Sequence, residues 1–230
     1  MDFLIPKLII LSAPSGTGKT SIIKQAKQIF PNLTLSVSYT TREPREGEVD
    51  GKDYFFVDRE EFIKLRDNQE FIEWAEVFGN FYGTSKKFIQ NAQKNNQIVI
   101  LDIDVQGALQ LKKIKDLSKS MIFIRPPSLE ELKNRLIFRN TEDEESLKKR
   151  LGNAEKEMNY QNQYDYTIIN NQLDQAVNEF IYLILKETID FSTTNLLVLK
   201  EDISKILPPG EIATNGLMLI FEKLLPPEIS

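Results

Sequence analysis

Leu8-Ile9-Ile10-Leu11-Ser12-Ala13-Pro14-Ser15-Gly16-Thr17-Gly18-Lys19-Thr20-Ser21-Ile22-Ile23-Lys24-Gln25-Ala26 is the stretch that decides the fold. A short apolar run, a loop of small residues with two glycines, and a helical pattern follow one another without a gap, giving strand, turn and helix. This is the context of a Walker A phosphate loop. Glycines let backbone N–H groups converge on phosphate oxygens, and the helix N-terminus adds the positive end of its dipole. Lys19 reaches the β and γ phosphates, and Thr20 offers its hydroxyl to Mg2+. Ala13, Pro14, Ser15, Gly16, Thr17, Gly18, Lys19 and Thr20 are therefore the expected contacts to ATP. The pattern departs from G-x-x-x-x-G-K-T at its first position, where Ala13 stands; a small residue fits there if its φ is negative.

Further apolar runs at Ile98 to Leu101, Met121 to Ile124 and Thr167 to Ile169 each lead into a loop or a helical pattern. They read as buried strands of a largely parallel sheet. Ser128 and Glu131 form a capping box ahead of Leu129, Leu132 and Leu136, and a second amphipathic face runs through Ala176, Val177, Phe180, Ile181 and Ile184. Alternating strands and helices imply a doubly wound α/β core with helices flanking a parallel sheet. Ile98-Val99-Ile100-Leu101-Asp102 ends a strand in a carboxylate, as a Walker B strand does, so Asp102 is expected to act on Mg2+ through water.

Composition narrows the chemistry. The 230 residues include no cysteine and no histidine, which excludes disulfides, thiolate metal sites and the commonest general base. A formal charge of −5 argues against bulk attraction to nucleic acid or an anionic membrane. The N-terminal residues show no basic region followed by a long apolar run, so a cytoplasmic protein is expected.

The texture changes between 36 and 96, which reads as a mixed β/α insertion at the sheet edge. Turn signals lie at Arg45-Glu46-Gly47 and Asp50-Gly51. This region carries Ser36-Val37-Ser38-Tyr39-Thr40-Thr41-Arg42-Glu43-Pro44-Arg45-Glu46-Gly47-Glu48, then Gly51-Lys52-Asp53-Tyr54-Phe55-Phe56, Phe71-Ile72-Glu73-Trp74-Ala75-Glu76 and Tyr82-Gly83-Thr84. Leu101-Asp102-Ile103-Asp104-Val105-Gln106-Gly107 follows. The set, in this order and spacing from Lys7 to Glu187, strongly resembles the guanylate kinase family.

The resemblance implies an ATP-dependent kinase that phosphorylates GMP, and dGMP with it, on a P-loop core. It implies that Arg42, Arg45, Tyr54 and Tyr82 hold the GMP phosphate, which suits guanidinium forks and phenol hydroxyls. It implies that Glu73 reads guanine, and that Ser38, Thr84 and Asp104 make the remaining base contacts. Thr84 stands where many members have serine. Arg135 is matched to the ATP side, Arg139 and Arg150 to the transferring phosphoryl group, and Asn170 to the adenine-side loop. Asn140 stands where the family commonly has glycine. Lys19, Mg2+ and arginines can together account for phosphoryl transfer without histidine.

The expected organisation is a kinase-like domain over 1–190. Its core covers 1–35, 97–138 and 160–190, with the GMP-binding insertion at 36–96 and a solvent-facing helical lid at 139–159, where Thr141 and Glu144 form a second possible capping box. Residues 191–230 form an extension of unread role, and oligomeric state is left open. Two alternatives stand beside this: a kinase for another nucleoside monophosphate, and a non-catalytic guanylate-kinase-like interaction module. Neither nucleic acid nor membrane is an expected partner.

Overall fold

β1, Leu8–Ser12, lies at the centre of a five-stranded sheet covered on both faces, which is why its first four residues can all be apolar. The computed structural model describes residues 8–30, 33–95, 97–138 and 144–188. Ile9 and Leu11 point to one helical layer, Leu8 and Ile10 to the other, and all four are fully buried. Each such side chain contributes about 1.5–3 kcal/mol on leaving water.

After β1 come α1 (Lys19–Ile29), β2 (Leu33–Leu35), β3 (Ser38–Thr40), β4 (Tyr54–Phe56), α2 (Arg59–Asp67), β5 (Phe71–Val77), β6 (Asn80–Ser85) and α3 (Lys86–Lys94). The chain continues through β7 (Ile98–Asp102), α4 (Val105–Lys112), β8 (Lys119–Arg125), α5 (Leu129–Phe138), α6 (Glu144–Met158), β9 (Tyr166–Ile169) and α7 (Leu173–Thr188). The core sheet runs β2-β7-β1-β8-β9, parallel throughout. Helices α1 and α7 cover one face, α3 and α4 the other. This three-layer α/β/α arrangement is the P-loop kinase fold expected from the sequence. β2 is the one core strand the apolar runs did not mark, because three residues are too few for periodicity to show.

A second sheet, β4-β3-β6-β5, occupies the insertion. Its own core is aromatic: Phe62 of α2 packs on Phe71 and Phe81, with ring centroids 4.7 and 5.3 Å apart. Tyr39 stacks on Phe55 at 4.8 Å in the same cluster. The register shifts between Phe71 and Glu73. Strict alternation would put both side chains on one face; the bulge sends Phe71 into the aromatic core and Glu73 to the opposite side. The sheet ends at Ser85. α3, inside the 36–96 insertion drawn from sequence, packs Ile89 and Ala92 on the core beside Val99 and Leu101.

Two expectations change near the lid. Ser128 does cap α5, its hydroxyl accepting from the Glu131 N–H at 3.0 Å, but the Glu131 carboxylate pairs with Arg135 at 2.9 Å instead of closing a capping box. α6 also has a buried side, with Ala154 packed against Leu132 and Leu136 of α5, so this helix is not solvent-facing all round. Arg139, Asn140, Thr141 and the extension 191–230 lie outside the described residues, as does the side chain of Glu144.

Candidate active site

The phosphate loop is shaped by two glycines that nothing else could replace. Gly16 and Gly18 have φ of +90° and +97°, in the left-handed region that favours glycine. A side chain on Gly16 would also strike Leu136, and one on Gly18 would strike the Asn170 amide. Ala13 is not among the positive-φ residues, so the missing opening glycine costs nothing here. Gly18 is the N-cap of α1 and supplies no side-chain cap, which leaves first-turn N–H groups free to meet an anion.

Asn170, 5% exposed, donates from Nδ2 to the Thr17 carbonyl at 2.7 Å. Arg135 reaches the same carbonyl at 3.5 Å. The loop is thus held from behind by the residue that follows β9 and from above by α5. The family resemblance matches Asn170 to the adenine-side loop; its side chain also clamps the phosphate loop. Lys19 forms an ion pair with Asp102, which the parallel register sets beside Leu11.

A buried carboxylate defines the other end of the cleft. Glu73 on β5 is 4% exposed and accepts a hydrogen bond from the Thr84 hydroxyl at 2.5 Å. Ser38 Oγ lies 3.4 Å from Thr84 Oγ1, so the three side chains form one polar cluster drawn from three strands. Burial pushes the Glu73 carboxyl up to about 7, against the pull of the Thr84 hydrogen bond and with help from the Asp104 charge. Gly107 closes the other side, where even a methyl group would collide with Glu73 Oε2. Asp104 caps α4, its Oδ1 accepting from Gly107 N–H at 2.9 Å and its Oδ2 from Gln106 at 3.0 Å. The cluster is moored to the core by Gln110, which accepts from Trp74 N–H at 3.3 Å and donates to the Trp74 carbonyl at 2.6 Å.

Arg42, Tyr54 and Tyr82 gather further along the same sheet. The Arg42 guanidinium lies 5.5 Å from the Tyr54 ring centroid, and Tyr54 meets Tyr82 edge-on at 6.0 Å. Burial raises the Tyr54 phenol to about 12, so it stays a hydrogen-bond donor at neutral pH. Arg42 forms two 2.9 Å hydrogen bonds to the two Glu48 oxygens, and Glu48 also accepts from the Arg45 N–H at 2.8 Å. Glu48 therefore braces the loop that carries both arginines. The Arg45 residue is exposed.

On α6, Arg150 Nη1 lies 3.4 Å from Ser15 Oγ, linking the lid helix to the phosphate loop. Two turns on is Glu157, half-buried. Burial lifts its carboxyl to about 7, although the Lys19 charge pulls it down; Asp104 adds to the rise. Sequence reasoning passed over Glu157 because it sits in the charged run Glu155-Lys156-Glu157, where nothing marks one carboxylate as turned inward. Gly107 and Gln110 were likewise invisible, since their roles exist only once α4 meets β5.

The sequence profile of the guanylate kinase family matches residues 5–187. A guanylate kinase of Nitratidesulfovibrio vulgaris is 47% identical over 182 residues, covering 79% of this chain and 87% of that protein. One of Geobacter sulfurreducens is 48% identical over 180 residues, covering 78% and 88%. Among solved structures, guanylate kinase from Anaplasma phagocytophilum superposes with a TM-score of 0.66 at 36% identity, covering 81% of this chain and 88% of the other. A phosphate loop facing a buried carboxylate on an inserted sheet, with sequence likeness spanning both, has one reading: the chain belongs to the guanylate kinase family.

Proposed function

We propose that this enzyme transfers the γ-phosphoryl group of ATP to GMP, and to dGMP, by in-line attack of a GMP phosphate oxygen on the γ-phosphorus, giving GDP and ADP. The observation that carries the choice of acceptor is Glu73, a carboxylate buried beside Thr84 and Gly107. Guanine offers N1–H and an exocyclic amine to such a group. Adenine offers an acceptor at that ring nitrogen and no amine, leaving the carboxylate unpaired at a cost of about 1–3 kcal/mol or more.

Ser38, Thr84 and Asp104 supply the remaining base contacts in this reading, and Arg42, Arg45, Tyr54 and Tyr82 hold the acceptor phosphate. The Arg42–Glu48 pair keeps the guanidinium extended ahead of a ligand. Residues 13–20 cradle the ATP phosphates, with Arg135 beside them. Lys19, Arg139 and Arg150 neutralise charge on the moving group. Phosphoryl transfer needs alignment and charge compensation more than covalent participation, and closure of insertion and lid would exclude water.

Magnesium fits as the partner of ATP. Thr20 and Asp102 offer oxygen donors at the mouth of the loop, and no cage of three or more acidic residues occurs among the described residues. Thr20 would hold the ion and Asp102 would act on it through water; Mg2+ would supply charge neutralisation to the ATP phosphates. No helix among the described residues is long and apolar enough to cross a membrane. We assign the activity to cytoplasmic purine nucleotide metabolism on the family's activity, with ATP and GMP as the partners. A non-catalytic module is disfavoured because Lys19, Thr20, Asp102, Arg135 and Arg150 are all retained.

A coupled ADP-release assay with GMP, dGMP, AMP and dTMP tests this. GMP and dGMP should turn over and AMP and dTMP barely; equal rates with AMP would overturn the assignment.

A further inference from the structure

The hairpin between β5 and β6 turns on two residues, Phe78 and Gly79, closed by the Val77–Asn80 pair. Their φ angles are +51° and +82°, so both central residues are in the left-handed region, as in a type I′ turn. Asn-Gly is the favoured sequence there, because asparagine tolerates that conformation and a bulky ring does not. Phe78 is also 51% exposed. Neither the turn nor the core of the insertion gains from a phenylalanine at this point.

What the ring does meet is α6. Lys149 Nζ lies 5.9 Å from the Phe78 ring centroid, within the range of a cation–π contact. The next residue, Arg150, extends to Ser15 of the phosphate loop. The strands that Phe78 joins carry Glu73, Tyr82 and Thr84. One ring therefore connects the sheet that would hold the acceptor to the helix that reaches the donor loop.

We propose that Phe78 is a positioning residue for phosphoryl transfer: seated against Lys149, its ring sets α6 so that Arg150 lies over the phosphate loop. This rests on the phosphoryl-transfer reading above. The contact joins the insertion to α6 and touches neither substrate site, so its effect is expected on turnover and not on the binding of either substrate alone.

Steady-state GDP formation and thermal melting of the full chain test it, with Phe78→Asn, Phe78→Tyr, Lys149→Met and the Phe78→Asn/Lys149→Met pair. Asparagine suits the turn, so the Phe78→Asn melting temperature should equal or exceed that of the unaltered protein. Its kcat should fall about threefold or more, with both KM values within about twofold. Lys149→Met should lose a similar factor, the double variant no more than the larger single loss, and Phe78→Tyr should keep normal kcat. Unchanged kcat in Phe78→Asn, losses that multiply in the double variant, or a melting temperature that falls with kcat would each overturn the proposal. Absence of GDP formation by the unaltered protein would overturn the phosphoryl-transfer reading itself, and this inference with it.

Discussion

The phosphate loop takes its shape from consecutive residues, and its recognising groups are backbone N–H groups at the start of α1. The end proposed to bind guanine draws Ser38, Glu73, Thr84 and Asp104 from β3, β5, β6 and the cap of α4, and the groups it offers are side chains. The difference decides how each end fails. A backbone cradle tolerates many side chains but not a changed φ, whereas a side-chain cluster is lost with one carboxylate. It also decides what each end can say about function: the first points to a nucleoside triphosphate, and the second is the end proposed to select the acceptor.

The largest effect is expected at Lys19, the loop lysine proposed to reach the transferring phosphate. Lys19→Ala should lower kcat by about 100- to 1000-fold, the scale of removing one preorganised electrostatic group. Single-turnover GDP formation measures it, and melting should show little change because Lys19 is partly exposed at its ion pair with Asp102.

Glu73→Gln comes next, and it separates recognition from stability. Turnover should fall about 10- to 100-fold in kcat/KM for GMP, since an amide cannot accept two donors as a carboxylate does. Stability should move the other way. Burial pushes the folded carboxyl up to about 7 from its ordinary 4.5, so between these pH values the folded state keeps a proton that the unfolded chain has lost. Stability contributed by Glu73 therefore falls as pH rises through that window, by about 3 kcal/mol in total. Glu73→Gln should flatten the slope of melting temperature between pH 5 and 8, leaving the part due to Glu157. In the unaltered enzyme kcat/KM for GMP should rise with pH through about 7 as Glu73 ionises, and this limb should vanish in the variant.

Gly107→Ala should disturb the acceptor end alone. The added methyl displaces the Glu73 carboxylate, so kcat/KM for GMP should drop about tenfold while KM for ATP stays put. Asn170→Ala is its counterpart and the smallest effect. Losing the hydrogen bond to the Thr17 carbonyl should raise KM for ATP about three- to tenfold without altering GMP affinity in direct binding.

How far each end could be read from sequence follows the same division. The loop was legible because strand, glycine spacing, lysine and hydroxyl are contiguous, and its one doubtful point, Ala13, resolved when the backbone there proved not to need glycine. The core strands were legible from apolar runs except β2, which is too short. At the end proposed for guanine, the residues can be named only through the family resemblance. Composition gives no reason to prefer Glu73 over Glu76; the bulge after Phe71 turns the first inward, while the second stays exposed. Gly107, Gln110 and Glu157 act through contacts between elements far apart in the chain, and no local pattern encodes such contacts. Phe78 belongs with them, since its partner Lys149 is on another element.

The most direct test of the central claim, that Glu73 makes this enzyme a GMP kinase, is the ratio of kcat/KM for GMP over AMP in the unaltered protein and in Glu73→Gln. The ratio should be about 100 or more in the unaltered protein and collapse at least tenfold in the variant. A ratio near one in the unaltered protein, or an undiminished ratio in Glu73→Gln, would contradict it.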